Sequence, residues 1–439
     1  MIHRRRFLTA ASAAAAFSAV PILRAQDGQK KYRTALIGSG WWGMNILREA
    51  LAHGQTLCVA LCDADADKLE HCSEEVNQLT GGTPKIFHDY RELLEKEKPE
   101  VVIIATPDHW HALQTIAAVK AGAHVFVEKP TGHTVQESRA MVKAAQDTGR
   151  TVQVGLHRRI GPHHVNALKF LRDGKVGKVG AVRCFVHYPG GKENPKPNQK
   201  TPENIDWDLY CGPAPLRAFN SKIHPGGWRQ FMDFANGQIG DWGVHWLDQF
   251  MLWTEERGPR RVFSSGGRPI SGPAVNTEKE MTTDAPEEQI AVFDFEGFTA
   301  TWEHRKFAAN SAEKHNIGVY FYGTEGTLHI GWRDGWTFYP SNEKAQTIHE
   351  DHQLQEPDGH SMKLLWADFI RSIETKGKPA ATIESAHRSS VLPMLANLSL
   401  KLGRSLTWDA EKELVLNDAE AAKGLRRDYR GPWQYPGAE

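Results

Sequence analysis

From residue 32 onward, short apolar runs alternate with longer amphipathic stretches. Residues 32–37, 56–62, 85–87, 101–105, 124–127 and 151–154 are apolar and short, which suits strands. Residues 44–52, 90–97, 111–121 and 135–148 have the length and spacing of helices. Regular strand–helix alternation predicts an α/β fold with a doubly wound parallel sheet at the front. Further along, residues 181–188, 289–295, 298–302 and 318–323 have period-two or β-rich character and predict strands of a second unit. Residues 190–202, rich in Pro, Lys and Asn, predict a loop near the cleft. No internal repeat is visible.

The first 25 residues break this pattern. His3-Arg4-Arg5-Arg6 is basic, an Ala-rich apolar run follows, and Leu23-Arg24-Ala25 closes the segment. This layout predicts a twin-arginine-type export signal over 1–25, and hence a periplasmic protein. The apolar run is too short to span a bilayer, so no stable membrane insertion is expected. The remaining length divides into a nucleotide-binding domain, 31–155, and a substrate and oligomerisation domain, 156–439.

Composition narrows the function. Lys+Arg and Asp+Glu both number 53, so no net field draws the chain to nucleic acid. Hydrophobic residues at 40% are enough for a real core. The five cysteines show no C-x-x-C pair and read as buried thiols.

Gly38-Ser39-Gly40-Trp41-Trp42-Gly43 sits between the first strand and the first helix. That is the context a dinucleotide fingerprint requires. Gly38 permits the tight turn, Gly40 lets the backbone approach a pyrophosphate, and Gly43 lets the helix pack on the strand. Trp41 and Trp42 lie in the same loop and are expected beside the cofactor. The second strand ends in Asp63, twenty positions after Gly43. A carboxylate there accepts hydrogen bonds from ribose hydroxyls and repels a 2′-phosphate, so NAD is expected over NADP. A competing role for Asp63 is the N-cap of the following helix.

Two further segments carry a family likeness. Ala105-Thr106-Pro107-Asp108-His109-Trp110-His111 follows the fourth strand, and Glu128-Lys129-Pro130 follows the fifth. Together with the glycine loop they resemble the Gfo/Idh/MocA family, named for glucose–fructose oxidoreductase, inositol dehydrogenase and a rhizopine-catabolism protein. Gly240 to Asp248 resembles that family's Asp-x-x-x-His segment, with Asp241 and His245 four apart and so on one helical face. The tail from Ala386 to Trp433 resembles an exported bacterial subgroup. The resemblance implies a C-terminal α/β domain with a large open, mainly antiparallel sheet, and homo-oligomers built on it.

It also implies a site. Lys129 would bind a reacting carbohydrate hydroxyl, His245 would take its proton, and Asp241 would orient His245. Thr106, Pro107, His109, His111 and Glu128 would line the cofactor, with Gln153 as a further cleft residue. His157 and Arg159, just past the last strand of the first domain, are candidates for substrate contact. One or two of Trp207, Trp228, Trp242 and Trp246 are expected to stack on a sugar ring. His109 with His111, and His163 with His164, are tempting metal pairs, but no catalytic metal is expected. The expected activity is oxidation of a sugar, polyol or glycoside hydroxyl with tightly held NAD. The alternatives are a glycoside-cleaving enzyme using transient oxidation and a non-catalytic NAD-bound sensor.

Overall fold

The computed structural model describes residues 30–254 and 256–437, so the expected signal lies outside the described residues. The first unit runs β1 (Tyr32–Ile37), α1 (Trp41–His53), β2 (Thr56–Cys62), α2 (Ala66–Thr80), β3 (Lys85–Phe87), α3 (Tyr90–Glu97), β4 (Val101–Ile104), α4 (Asp108–Lys120), β5 (His124–Val127), α5 (Val135–Thr148) and β6 (Val152–Val154). Its six strands are all parallel, in the order β3-β2-β1-β4-β5-β6. The order reverses between β1 and β4, which leaves a crevice beyond their carboxyl ends. β4 reads Val-Val-Ile-Ile and every residue is buried, as a strand covered on both faces must be. α1 starts three residues earlier than the sequence pattern predicts, because Gly40 is its N-cap and Trp41 its first turn.

The second unit contains α6 (Pro162–Arg172), β7 (Val179–His187), β8 (Lys196–Pro197), α7 (Trp207–Cys211), α8 (Val244–Thr254), β9 (Arg261–Gly267) and β10 (Glu280–Met281). It continues through β11 (Glu288–Asp294), β12 (Thr299–Arg305), β13 (Ile317–Gly323), β14 (Gly326–Ile330), β15 (Trp336–Pro340) and β16 (Ile348–Glu350). It ends with α9 (Pro357–Thr375), α10 (Ile383–Leu402), β17 (Leu406–Asp409), β18 (Leu414–Val415) and α11 (Ala419–Lys423). Ten strands form one sheet, β16-β15-β14-β13-β7-β12-β11-β9-β17-β18, antiparallel except for the β7–β12 pair. The period-two pattern does what it predicts. Ala300 and Trp302 of β12 face the core, while Thr301, Glu303 and Arg305 face out. α6, α8 and α10 cover the inner face, and the outer face is left open.

α9 does not stay with that sheet. Its Met362, Leu365, Trp366, Phe369 and Ile370 pack with Leu36, Met44, Leu47 and Phe126 of the nucleotide unit. Trp366 and Phe369 are fully buried there, each contributing about 1.5–3 kcal/mol. The N-terminus of the same helix carries Asp358, which reaches the site. Residues 190–202 are mainly loop, as their composition predicts. Glu193 ties them to Lys222, Arg268 and Thr283, and none lines the two clefts described below. The cysteines are free; Cys62, Cys72, Cys184 and Cys211 are buried and Cys58 partly so. Among the described residues no helix is long and apolar enough to cross a membrane.

Candidate active site

Two clefts meet at Ala105, Thr106 and Trp228. The first, about 650 Å³, is lined by Gly38, Gly40, Asp63, Thr106, Pro107, Gln114 and Tyr210. Gly38 has φ +93°, and a Cβ there would lie 2.6 Å from the Ala105 carbonyl carbon. A Cβ on Gly43 would fall 2.1 Å from the Gly38 carbonyl oxygen, so the turn and the helix can meet only as glycines. Above Gly40 nothing lies within 4 Å of where a Cβ would be, which leaves room for a phosphate group at the N-terminus of α1.

The N-cap of α2 is Asp65, not Asp63. Asp63 is thereby left to the cleft. One carboxylate oxygen accepts the Ser39 N–H at 2.8 Å, the other the Asp65 N–H at 3.1 Å. Each oxygen keeps a lone pair for a ribose hydroxyl. Burial pushes the Asp63 carboxyl up, against Lys68 and these two N–H groups. The donor set, the glycine space and the carboxylate all fit NAD. Asp63→Asn should weaken NAD binding by about tenfold, the worth of one hydrogen bond to a charged group. Calorimetric titration checks this, and unchanged affinity would remove Asp63 from the nucleotide contact.

The second cleft, about 780 Å³, holds Trp41, Trp42, Glu128, Lys129, His157, Arg158, Trp228, Arg229, Asp241, Trp242, His245 and Asp358. Lys129 donates to the Asp241 backbone oxygen at 2.8 Å and to its carboxylate at 2.7 Å. An ammonium has three protons, so one is left for a ligand. Arg229 adds a second cation 3.4 Å from the same carboxylate. Burial alone would raise Asp241, but Lys129 and Arg229 outweigh it and hold the carboxyl below its ordinary value. Residues 239–243 form a π turn ahead of α8, so Asp241 and His245 both reach the cleft from one widened helical segment.

The expected Asp241–His245 partnership is corrected by these bonds. Asp241 serves Lys129 and Arg229, and no described hydrogen bond joins it to His245. His245 Nδ1 is buried without a partner. Burial, then Arg158, Lys129 and His157, lower the His245 pKa well below that of a free imidazole. The neighbouring histidine is instead the oriented one. His157 shares a 2.9 Å hydrogen bond with Asp358, its ring centroid lies 5.0 Å from that of His245, and Trp332 also donates to Asp358.

Several other expected residues lie elsewhere. Arg159 is turned away from the cleft and forms a buried pair with Asp248, at 2.9 and 2.5 Å. Its neighbour Arg158 faces the cleft, over the rings of Trp242 and Trp246. His109 is fully buried between the Phe234 and Tyr210 carbonyls, and its ring supports the crevice from behind. His111 bridges the Thr106 and Pro130 carbonyls and so fixes the β4 and β5 ends to each other. Gln153 is buried against Leu365 and Ala381. Trp246 belongs to the core, and Trp207 stacks on Tyr210; only Trp228 and Trp242 of the four line the cleft. Glu128 lines the second cleft, its carboxyl raised by burial. Gly155 leaves it space, since a Cβ there would lie 2.2 Å from Glu128 Oε1.

Residues 32–156 match the model of the Gfo/Idh/MocA oxidoreductase family's NAD-binding Rossmann fold, and 176–283 with 349–435 match its C-terminal α/β domain. The chain belongs to the Gfo/Idh/MocA family of oxidoreductases. NAD is its cofactor. A "Glycosyl hydrolase family 109 protein" of Stenotrophomonas maltophilia is 32% identical over 199 residues, 44% of this chain and 42% of that one. A protein of the same description from Akkermansia muciniphila is 29% identical over 34% of this chain and 32% of its own. The chain thus matches less than half the length of these curated relatives. Among solved structures, levoglucosan dehydrogenase with NADH and levoglucosan superposes with TM-score 0.65 at 20% identity, over 86% of this chain and 99% of that one. Aldose–aldose oxidoreductase from Caulobacter crescentus gives 0.63 at 18%, over 86% and 100%. These two likenesses establish the fold.

Proposed function

We propose that this oxidoreductase oxidises a ring hydroxyl of a sugar or glycoside to a ketone and keeps its NAD between turnovers, a second carbonyl substrate taking the hydride back from the bound NADH. The observation that carries the reading is the convergence of Lys129, His245, Trp228 and Trp242 on one cleft that adjoins the nucleotide cleft. Bound NAD supplies the hydride acceptor. The remaining Lys129 proton holds the substrate hydroxyl and steadies the alkoxide as it develops. His245, neutral and lining the cleft, accepts the hydroxyl proton. Trp228 and Trp242 give flat apolar faces for a sugar ring.

A second reading has its own support. The curated relatives are described as family 109 glycosyl hydrolases, and the cleft holds a second acid–base pair, His157–Asp358. Transient oxidation, elimination of the glycosidic substituent, addition of water to the unsaturated ketone and re-reduction need two proton-handling groups and consume no NAD. The Arg-rich leader extends the proposal to the periplasm, where free NAD is expected to be scarce and a retained cofactor is useful. We also place the homo-oligomer contact on the open sheet face, where Phe263, Ile290 and Tyr322 are exposed.

Purified without added nucleotide, the protein should release about one NAD per chain on denaturation. Incubated with aryl glycosides and free sugars, it should then either accumulate NADH or release aglycone. NADH accumulation selects the dehydrogenase, and aglycone without NADH selects the cleaving enzyme. Neither product from any carbohydrate, with NAD bound, would sink both. The pH profile is a separate check. His245 is active when neutral, and its pKa is lowered, so it stays neutral as pH falls through 6.5. kcat/KM should show no acid limb in that range. A limb at or above the free imidazole value would rule His245 out as the base.

A further inference from the structure

The open face of the large sheet carries a cluster that the oxidoreductase chemistry does not use. His329 of β14 points outward, between Leu328 and Ile330, which face the core. His315 precedes β13 and stacks on His329 with ring centroids 3.8 Å apart and planes 22° from parallel. Asp334, in the turn between β14 and β15, brings a carboxylate oxygen to 2.6 Å from His315 Nδ1 and 4.0 Å from His329 Nδ1. One donor atom from each of the three lies within 4.8 Å of the other two.

The His315–Asp334 contact alone would be an ordinary ion pair. His329 is what an ion pair does not explain. Its side chain is 1% exposed, and neither ring nitrogen has a hydrogen-bond partner of normal geometry. A buried imidazole costs stability unless its polar atoms are satisfied. A cation that replaces the His315–Asp334 hydrogen bond and parts the two stacked rings would satisfy one of its two nitrogens.

We propose that His315, His329 and Asp334 form a binding site for a divalent transition-metal ion of the zinc type. Two imidazoles with one carboxylate favour zinc or its neighbours over magnesium or calcium, which take oxygen ligands. Three protein ligands leave a fourth tetrahedral position for water or a further group. The site is structural by placement. It ties the 306–316 segment to the β14–β15 turn, whose Trp332 donates to Asp358 of the cleft.

The test uses the full chain without a histidine tag, stripped with chelator and titrated with zinc by calorimetry. About one equivalent should bind per chain. His329→Ala and, separately, the more exposed Asp334→Asn should each weaken binding by more than about tenfold, since removal of mere supporting groups around a metal already costs 10–100-fold. Both variants should keep their NAD content, which shows that they are folded. Cobalt substitution should give the visible absorption of a tetrahedral site in the parent and not in His329→Ala. A parent that binds zinc no better than the two variants would overturn the proposal. So would zinc binding that is lost in His157→Ala but kept in His329→Ala, because the ion would then belong to the cleft.

Discussion

Lys129→Met should yield a protein that retains NAD and turns substrate over about a thousandfold more slowly. The loss reflects a donor aimed at developing charge in a site screened from water, an effect of order 10²–10³ per donor, with more expected for a cation. The side chain is 13% exposed, so methionine fills its volume without opening a void of consequence. Its partner Asp241 keeps Arg229 at 3.4 Å, which limits the penalty of leaving a buried carboxylate behind. The decisive comparison is kcat against NAD content. A fall in kcat with normal NAD places Lys129 in the chemistry. A loss of NAD in step with kcat would make it a cofactor ligand, and near-normal kcat would end the proposed mechanism.

Arg159→Ala should act on stability instead. Arg159 and Asp248 have side chains only 2% and 1% exposed, and the guanidinium meets both carboxylate oxygens. Ser385 and the Ala380 carbonyl take further guanidinium protons, and Ser389 donates to Asp248. Removing one partner leaves a charge stranded in the core, a loss of about 3–5 kcal/mol. Urea unfolding should report it, while KM for substrate stays unchanged in the surviving folded fraction. A loss below about 1 kcal/mol with a raised KM would restore Arg159 to the substrate site.

These two residues show where sequence reading works and where it stops. Lys129 is legible through the family resemblance, which Glu128-Lys129-Pro130 at the end of β5 carries. Gly38, Gly40, Gly43 and Asp63 are legible from local pattern, because strand ends and glycine spacing locate them. Arg158 and Arg159 are consecutive, and which one faces the cleft depends on a single 3₁₀ turn over His157–Arg159. No periodicity resolves a choice of one residue in so short a turn. Asp358 comes from a helix some two hundred positions away from His157, so the pair exists only through tertiary packing. The π turn at 239–243 inserts an irregularity that an ideal helix projection cannot carry, and it redirects Asp241 to Lys129. In the second unit, β9 shows only Val262 and Phe263 before a Ser-Ser-Gly-Gly run, too little alternation to announce a strand.

The return of α9 to the nucleotide unit has a consequence for how the chain behaves as a whole. The hydrophobic cover over β1, β4 and β5 is completed by residues that come after most of the large sheet. The line between the two units is therefore no fracture line. A chain cut after residue 350 would expose that apolar face and lose Asp358 with it. Heating or urea should give one transition, with the nucleotide unit and the large-sheet unit melting together.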